Sequence, residues 1–249
     1  MDISVYNEMY RVEEIHWWFV AKRRIVLHIL ERFAKKQKLE TNDLTVCDIG
    51  CGCGATLKSL SKIYKSYGVD VSDTAIKYCR ERGLTAVKGD LNGDMPYEGR
   101  KFDIILMLDV LEHIDNDTMA VEKAASLLKP NGLLICTVPA YNWLWSHHDE
   151  IHHHRRRYTK KSLLKMFEVY CETTPILCTY YNSILFPLAL IERIFFKPFF
   201  HKPNRMINPI PNRILNRILA NIFSFEKHLI LKINFPFGLS IIGVFQKNS

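Results

Sequence analysis

Apolar positions follow two alternating rhythms through the first half of this chain: short unbroken runs, and steps of three or four residues. Between residues 16 and 37, Ile25, Leu27, Ile29, Leu30 and Phe33 recur at helical steps with lysine and arginine between them, which predicts a helix. Apolar runs at about 44–49, 66–71, 84–88, 102–108 and 132–138 predict strands. Helical patterns at about 54–64, 73–82 and 117–128 lie between them, the last stopping at Lys129-Pro130-Asn131-Gly132. Strand alternating with helix predicts a parallel sheet with right-handed crossovers and helices on both faces. No internal repeat or low-complexity linker interrupts the pattern, so a single domain over 1–249 is expected.

Composition narrows the class. A 249-residue chain with 48% hydrophobic content is large enough to bury a substantial core as one α/β unit. No run of 18 apolar residues is present, so no transmembrane helix is expected. The start, Met1-Asp2-Ile3-Ser4-Val5-Tyr6-Asn7-Glu8, lacks the basic flank and apolar stretch of a secretory signal. Seven cysteines, an odd number placed mostly in predicted strands and a glycine loop, point to reduced thiols and a cytoplasmic protein. Cys47, Cys51 and Cys53 alternate with glycines and read as small core and loop residues, so no metal site is expected of them.

The chemistry begins at Val46-Cys47-Asp48-Ile49-Gly50-Cys51-Gly52-Cys53-Gly54, where a strand ends in an acid and enters a loop of alternating glycines. Glycine lets the backbone turn sharply and lets a ligand approach without a Cβ in the way. A second strand, Tyr67-Gly68-Val69-Asp70-Val71, ends in another acid, placed where the two ribose hydroxyls of an adenosine need an acceptor. Gly50, Gly52 and Ala55 also satisfy the dinucleotide pattern, which keeps an NAD-linked oxidoreductase open. Asp48, two residues before the first glycine, suits a cationic amino group better than a pyrophosphate. Asp90, in Val87-Lys88-Gly89-Asp90-Leu91, follows a third strand and can accept from an adenine amino group. A fourth strand runs through Asp109-Val110-Leu111-Glu112-His113-Ile114. The plainer alternative is that the glycines serve a turn and the acids cap helices, leaving a non-catalytic scaffold.

Taken in order over about residues 43–140, Asp48 with Gly50, Gly52 and Gly54, then Asp70, Asp90, and Phe102-Asp103 leading to Leu111-Glu112-His113-Ile114 resemble the class I S-adenosylmethionine-dependent methyltransferases. The resemblance implies a Rossmann-like, seven-stranded, mostly parallel sheet. Its late strands fall near 173–181 and 238–246, the last of them antiparallel. It also implies S-adenosylmethionine as cofactor, held by Asp48, Gly50, Gly52, Asp70, Val71, Asp90, Leu91 and Asp109. The expected divisions are an N-terminal helical cap (1–40), a cofactor-binding core (41–182), a basic apolar helical insertion (183–235) and a final strand (236–249).

After the fifth predicted strand, residues 139–159 hold five histidines, three arginines and several aromatics, more than folding requires. Imidazole suits general-base work and the arginine fork suits a carboxylate or phosphate. With Glu14-Ile15-His16-Trp17-Trp18-Phe19 and Arg23-Arg24, this loop resembles a bacterial methyltransferase subgroup carrying Leu144, Trp145, Ser146, His148, Asp149, His154, Arg156, Arg157, Tyr158 and Thr159 in one motif. His148, His154, Arg156 and Arg157 are therefore candidate acceptor-side residues, and His113 is a second candidate base. Structural alternatives stand beside each: Thr159 as a helix N-cap, Arg156 or Arg157 as a clamp onto Asp149, and Glu112-His113 as a helix start. Neighbouring histidines on an irregular loop do not by themselves define a metal geometry, so none is assigned here.

Charge singles out the last stretch. Residues 183–249 carry nine basic and two acidic residues, net +7, against +8 for the whole chain. Arg193, Lys197, Lys202, Arg205, Arg213, Arg217 and Lys227 are interleaved with Ile184-Leu185-Phe186, Phe195-Phe196, Phe199-Phe200, Ile214-Leu215 and Ile222-Phe223. Three readings stay open: peripheral contact with an anionic membrane at its inner face, a lid over an apolar acceptor, and helices packed on the sheet with their charges in water. Nucleic acid is not expected, because the aromatics come as doublets in apolar surroundings. The expectation is methyl transfer to a small-molecule, glycan or lipid-linked acceptor.

Overall fold

The computed structural model describes residues 3–36, 40–97, 99–191 and 209–249. Its strands are β1 (Thr45–Ile49), β2 (Lys65–Asp70), β3 (Ala86–Lys88), β4 (Phe102–Leu108), β5 (Leu128–Pro139), β6 (Thr173–Tyr181) and β7 (Ser240–Lys247). Its helices are α1 (Ile3–Val12), α2 (Trp17–Lys36), α3 (Ala55–Leu60), α4 (Asp73–Glu81), α5 (Asp117–Ser126), α6 (His147–Ile151), α7 (Lys160–Tyr170), α8 (Phe186–Ile191) and α9 (Arg213–Phe225). The strands form one sheet in the order β3-β2-β1-β4-β5-β7-β6. β1 pairs in parallel with β2 and β4, β2 with β3, and β4 with β5, whereas β7 runs antiparallel between β5 and β6. This is the Rossmann-like topology the resemblance implied.

Side chains alternate across each strand, and here both faces are covered. Ile105 and Met107 of β4 pack with Val121 and Ala124 of α5 and Phe167 of α7. Ile104 and Leu106 pack on the other face with Ile25 and Ile29 of α2 and Phe223 of α9. Two-sided burial is why the central strands read as unbroken apolar runs.

Most element bounds fall within a few residues of expectation. The fifth strand starts at Leu128 rather than near 132, and α3 ends at Leu60 rather than near 64. Leu128 already pairs with Phe102, and a register shift before Ile104 accommodates Pro130 in the strand. α5 correspondingly ends at Ser126. α7 begins where Thr159 caps it, the Ser162 N–H donating to Thr159 Oγ1 at 3.1 Å.

The N-terminal segment is two helices. α1 lies on α4: Tyr10 stacks on Tyr78 at 4.0 Å, and the Tyr78 hydroxyl donates to Asn7 at 2.7 Å. Arg82 just beyond α4 pairs with the buried Glu13 and donates to the carbonyl of Tyr10 at 3.2 Å. The cap is thereby held over the loop that follows β1.

Between β6 and β7 the described chain contributes α8 and α9. α9 buries Ala220, Phe223 and Ser224, with Phe223 against Trp18 at 5.3 Å and Tyr181 at 5.8 Å. Glu226, fully buried, accepts the N–H groups of Asn182, Ser183 and Ile184 at 2.6–2.8 Å and so fixes the chain entering α8. Arg193, Phe195, Phe196, Lys197, Phe199, Phe200, Lys202 and Arg205 lie outside the described residues. No helix among the described residues is long and apolar enough to cross a membrane.

Candidate active site

A cavity of about 1280 Å³ opens beyond the carboxyl ends of β1, β2, β3, β4 and β5. Open α/β sheets bind ligands in this crevice. One end is built by the glycine loop. Gly50 and Gly52 have positive φ (74° and 54°), and a Cβ at Gly50 would lie 2.4 Å from the Val110 side chain. The loop stays close to β2 because the N–H groups of Gly50 and Cys51 both donate to the carbonyl of Val69.

Asp70, at the end of β2, is 6% exposed and gathers the local donors. Its carboxylate accepts from Gly52 N at 2.9 Å, Ser72 N at 3.0 Å and the Tyr6 hydroxyl at 3.4 Å. Burial raises its carboxyl above the ordinary range while these three donors pull against that shift. Tyr6 comes from α1, which carried no sequence signal for the site.

Asp48 is 2% exposed, and burial pushes its carboxyl up to about 7. The charge of Lys22 opposes that rise, while Asp70 and Glu13 add to it. Lys22 also pairs with Asp109, whose carboxylate accepts from Thr137 Oγ1 at 2.8 Å. Burial would raise Asp109 as well, but Lys22 and Thr137 outweigh it and hold the carboxyl low. Lys22, like Tyr6, is not among the residues the sequence reading singles out. Its signal was a charged side chain spaced four and seven residues before the buried Val26 and Ile29, on the apolar stripe of α2. Asp90, Leu91 and Val71 also line the cavity; the Asp90 carboxylate caps its own turn through Asn92 N at 2.8 Å.

The histidine-rich loop closes the other end. Ser146 and Asp149 form a capping box at α6, with Ser146 N donating to Asp149 at 2.7 Å. Asp149 is fully buried, and burial alone would raise its carboxyl. His154 Nδ1 at 2.9 Å and the Arg157 fork at 2.7 and 3.0 Å outweigh burial and hold it well below the usual carboxylate range. Arg155 N donates to the carbonyl of Glu112 at 2.7 Å and Arg155 Nε to that of His113 at 3.1 Å, tying this loop to the one after β4. His113 and His154 consequently meet edge to face at 4.8 Å. Burial and then the neighbouring His154 lower the His113 imidazole to about 3.

Two of the candidate side chains serve the loop. Arg156 binds Asp117 at 3.0 Å and the carbonyl of Asp115 at 2.7 Å, away from the cavity lining. Arg157 reaches the wall, but its guanidinium is spent on Asp149 and the carbonyl of Ala140. Glu112 and His113 are not a helix start: they form a separate 3₁₀ turn, and α5 begins after the N-cap Asn116. His113, His148 and His154 all line the cavity.

A family model described as a methyltransferase domain matches residues 18–170, more than half of the chain. The chain belongs to the methyltransferase-domain family. This methyltransferase domain is 31% identical over 152 residues to a ubiquinone biosynthesis O-methyltransferase of Bradyrhizobium diazoefficiens, covering 51% of this chain and 58% of that protein. The chain spans between about 38% and 58% of the length of these first curated relatives. Among solved structures, a magnesium protoporphyrin IX methyltransferase from Synechocystis, with bound S-adenosylhomocysteine, superposes with a TM-score of 0.55 at 15% identity, covering 94% and 86% of the two chains. The cyclase SpnF superposes as well, with a TM-score of 0.56 at 17% identity, covering 90% and 80%. A fold shared with a cyclase does not by itself decide chemistry, so the site must.

Proposed function

We propose that this methyltransferase domain moves the methyl group of S-adenosylmethionine to a hydroxyl of a small or lipid-linked, largely apolar acceptor. The observation that carries this reading is a single cavity with a carboxylate-lined glycine cradle at one end and a histidine wall at the other. The cradle fits the cofactor. Asp70 presents an acceptor for ribose hydroxyls, and the Tyr6 hydroxyl it now holds stands where such a hydroxyl would be accepted. Asp48 offers a carboxylate to a cationic amino group, Lys22 an ammonium to a carboxylate, and Asp90 with Leu91 the adenine side.

When bound, the cofactor supplies an electrophilic methyl carbon on a positively charged sulfur. The chain's own work is positioning and proton handling. His113, His148 and His154 line the cavity, which supports an acceptor-side role for them, and Asp149 fixes the ring orientation of His154 through Nδ1. The O-methyltransferase name of the Bradyrhizobium relative supports oxygen as the acceptor atom.

Ala189 of α8 and Pro209 also line the cavity, which supports a lid role for this region. α9 exposes Ile214, Ile218 and Phe225 at steps of four and seven, with Leu215 beside them and Arg213 and Arg217 along the helix. Such a face suits an anionic lipid surface from which an apolar acceptor would arrive.

A nicotinamide reading is disfavoured by the same cradle. Gly52 N already donates to Asp70, and a pyrophosphate at this loop would face the carboxylates of Asp48 and Asp70. Calorimetric titration with S-adenosylhomocysteine and with NADH tests the choice. Binding of the first alone is expected; binding of NADH alone would overturn the proposal, and binding of neither would favour a scaffold.

A further inference from the structure

We propose that Glu112, His113 and His154 form a divalent-cation site at the acceptor end of the cavity. One ligand atom from each side chain lies within 4.8 Å of the other two, although the residues come from two different loops. Two independent features support the site. The first is Glu112: it is 1% exposed, and its Oε2 has no hydrogen-bond partner among the described residues. A carboxylate oxygen stripped of water without a partner is costly to bury, and a cation beside it removes that cost. The second is Asp149, which accepts from His154 Nδ1 at 2.9 Å and leaves Nε2 as the ligand atom. A buried carboxylate behind a ligating imidazole is the outer-shell arrangement that fixes ring tautomer and orientation at metal centres.

The loops are also braced for this geometry. Arg155 ties the backbone of Glu112 and His113 to the strand of chain carrying His154, so the three ligands are set before any ion arrives. Two imidazoles and one carboxylate select borderline cations such as Zn²⁺, Co²⁺ or Fe²⁺ over Mg²⁺ and Ca²⁺, which prefer oxygen ligands alone. Three protein ligands leave a coordination position open toward the cavity. An acceptor hydroxyl bound there would lose its proton more readily, because the cation stabilises the oxyanion. This last role rests on the methyl-transfer reading; the cation site itself does not.

The test uses the whole protein, stripped with a chelator and then titrated with Co²⁺, read by visible absorption and by calorimetry. One equivalent is expected, with the absorption of a low-symmetry nitrogen and oxygen site. Glu112→Gln and His113→Ala should each weaken uptake at least tenfold, and Asp149→Asn about 10–100-fold, the range for outer-shell changes. S-adenosylhomocysteine titrations run on the same samples report whether the cradle is intact, so a variant that has lost its fold is recognised. Wild-type protein that takes up less than one equivalent overturns the proposal, as does uptake by Glu112→Gln and His113→Ala as tight as that of wild type. Failure of S-adenosylhomocysteine binding in wild type with Co²⁺ uptake intact would instead overturn the methyl-transfer reading.

Discussion

The ammonium of Lys22, on α2, meets the carboxylate of Asp109 at the carboxyl end of β4. The pair joins the N-terminal helices to the centre of the sheet in the wall of the cavity. Lys22→Met would leave Asp109 without its cation and Asp48 without the charge that lowers it. Removing one partner of a fully buried pair costs about 3–5 kcal/mol, and the effect here should be smaller because the Asp109 side chain is 34% exposed. Denaturant unfolding should show the loss, and S-adenosylhomocysteine affinity should fall with it.

An Asp48 that holds the cofactor's amino group predicts that cofactor binding depends on pH. Its carboxyl is raised to about 7, and only the ionised form can pair with a cationic amino group. Affinity for S-adenosylmethionine should therefore rise as pH increases through about 7. Asp48→Asn should bind more weakly at high pH and lose that slope. A wild-type profile that is flat from pH 6 to 8 in calorimetry would remove Asp48 from the binding role.

Asp70→Ala should weaken the cofactor about 10–100-fold, the equivalent of ~1.5–3 kcal/mol for hydrogen bonds to a charged group. Tyr6→Phe removes a hydroxyl that competes for the same carboxylate at 3.4 Å, so it should leave affinity equal or slightly improved. Opposite ranks for these two variants in an equilibrium titration would place the ribose elsewhere.

If His148 serves the acceptor, His148→Ala should retain S-adenosylhomocysteine affinity and lose turnover, since the residue lines the cavity on the histidine loop rather than on the glycine loop. Full activity in this variant, measured by methyl transfer from radiolabelled donor to a lipid extract, would return His148 to a structural role.

The exposed stripe on α9 predicts co-sedimentation with vesicles containing anionic lipid. Binding should decline as salt rises, since the screening length shrinks from ~10 Å at 0.1 M to ~3 Å at 1 M. Arg213→Glu with Arg217→Glu should release the protein and leave cofactor affinity unchanged. If the double variant instead raises KM for an apolar acceptor and vesicles never bind, the region acts as a lid alone.

The sequence by itself determined the sheet and the candidate cofactor loops at its carboxyl end. Apolar runs alternating with helical steps specify strands buried on both faces, and Gly50, Gly52, Asp48 and Asp70 lie within a few residues of strand ends, where local backbone geometry fixes their direction. Asp48 and Asp70 are brought to one edge by parallel pairing of β1 with β2, the arrangement consecutive strands usually adopt. Tertiary structure decided the rest, because those contacts cross long sequence separations that no local pattern encodes. Tyr6 reaches Asp70 across 64 residues and Lys22 reaches Asp109 across 87. The sequence leaves the arginines open between substrate contact and a clamp onto Asp149, and the folded loop decides for the clamp, with Asp149 buried and holding the fork of Arg157. His113 and His154, 41 positions apart, become neighbours where Arg155, Arg156 and Tyr158 bond the segment after β4. Glu112 is an ordinary polar residue in sequence; only burial makes its unpartnered oxygen informative.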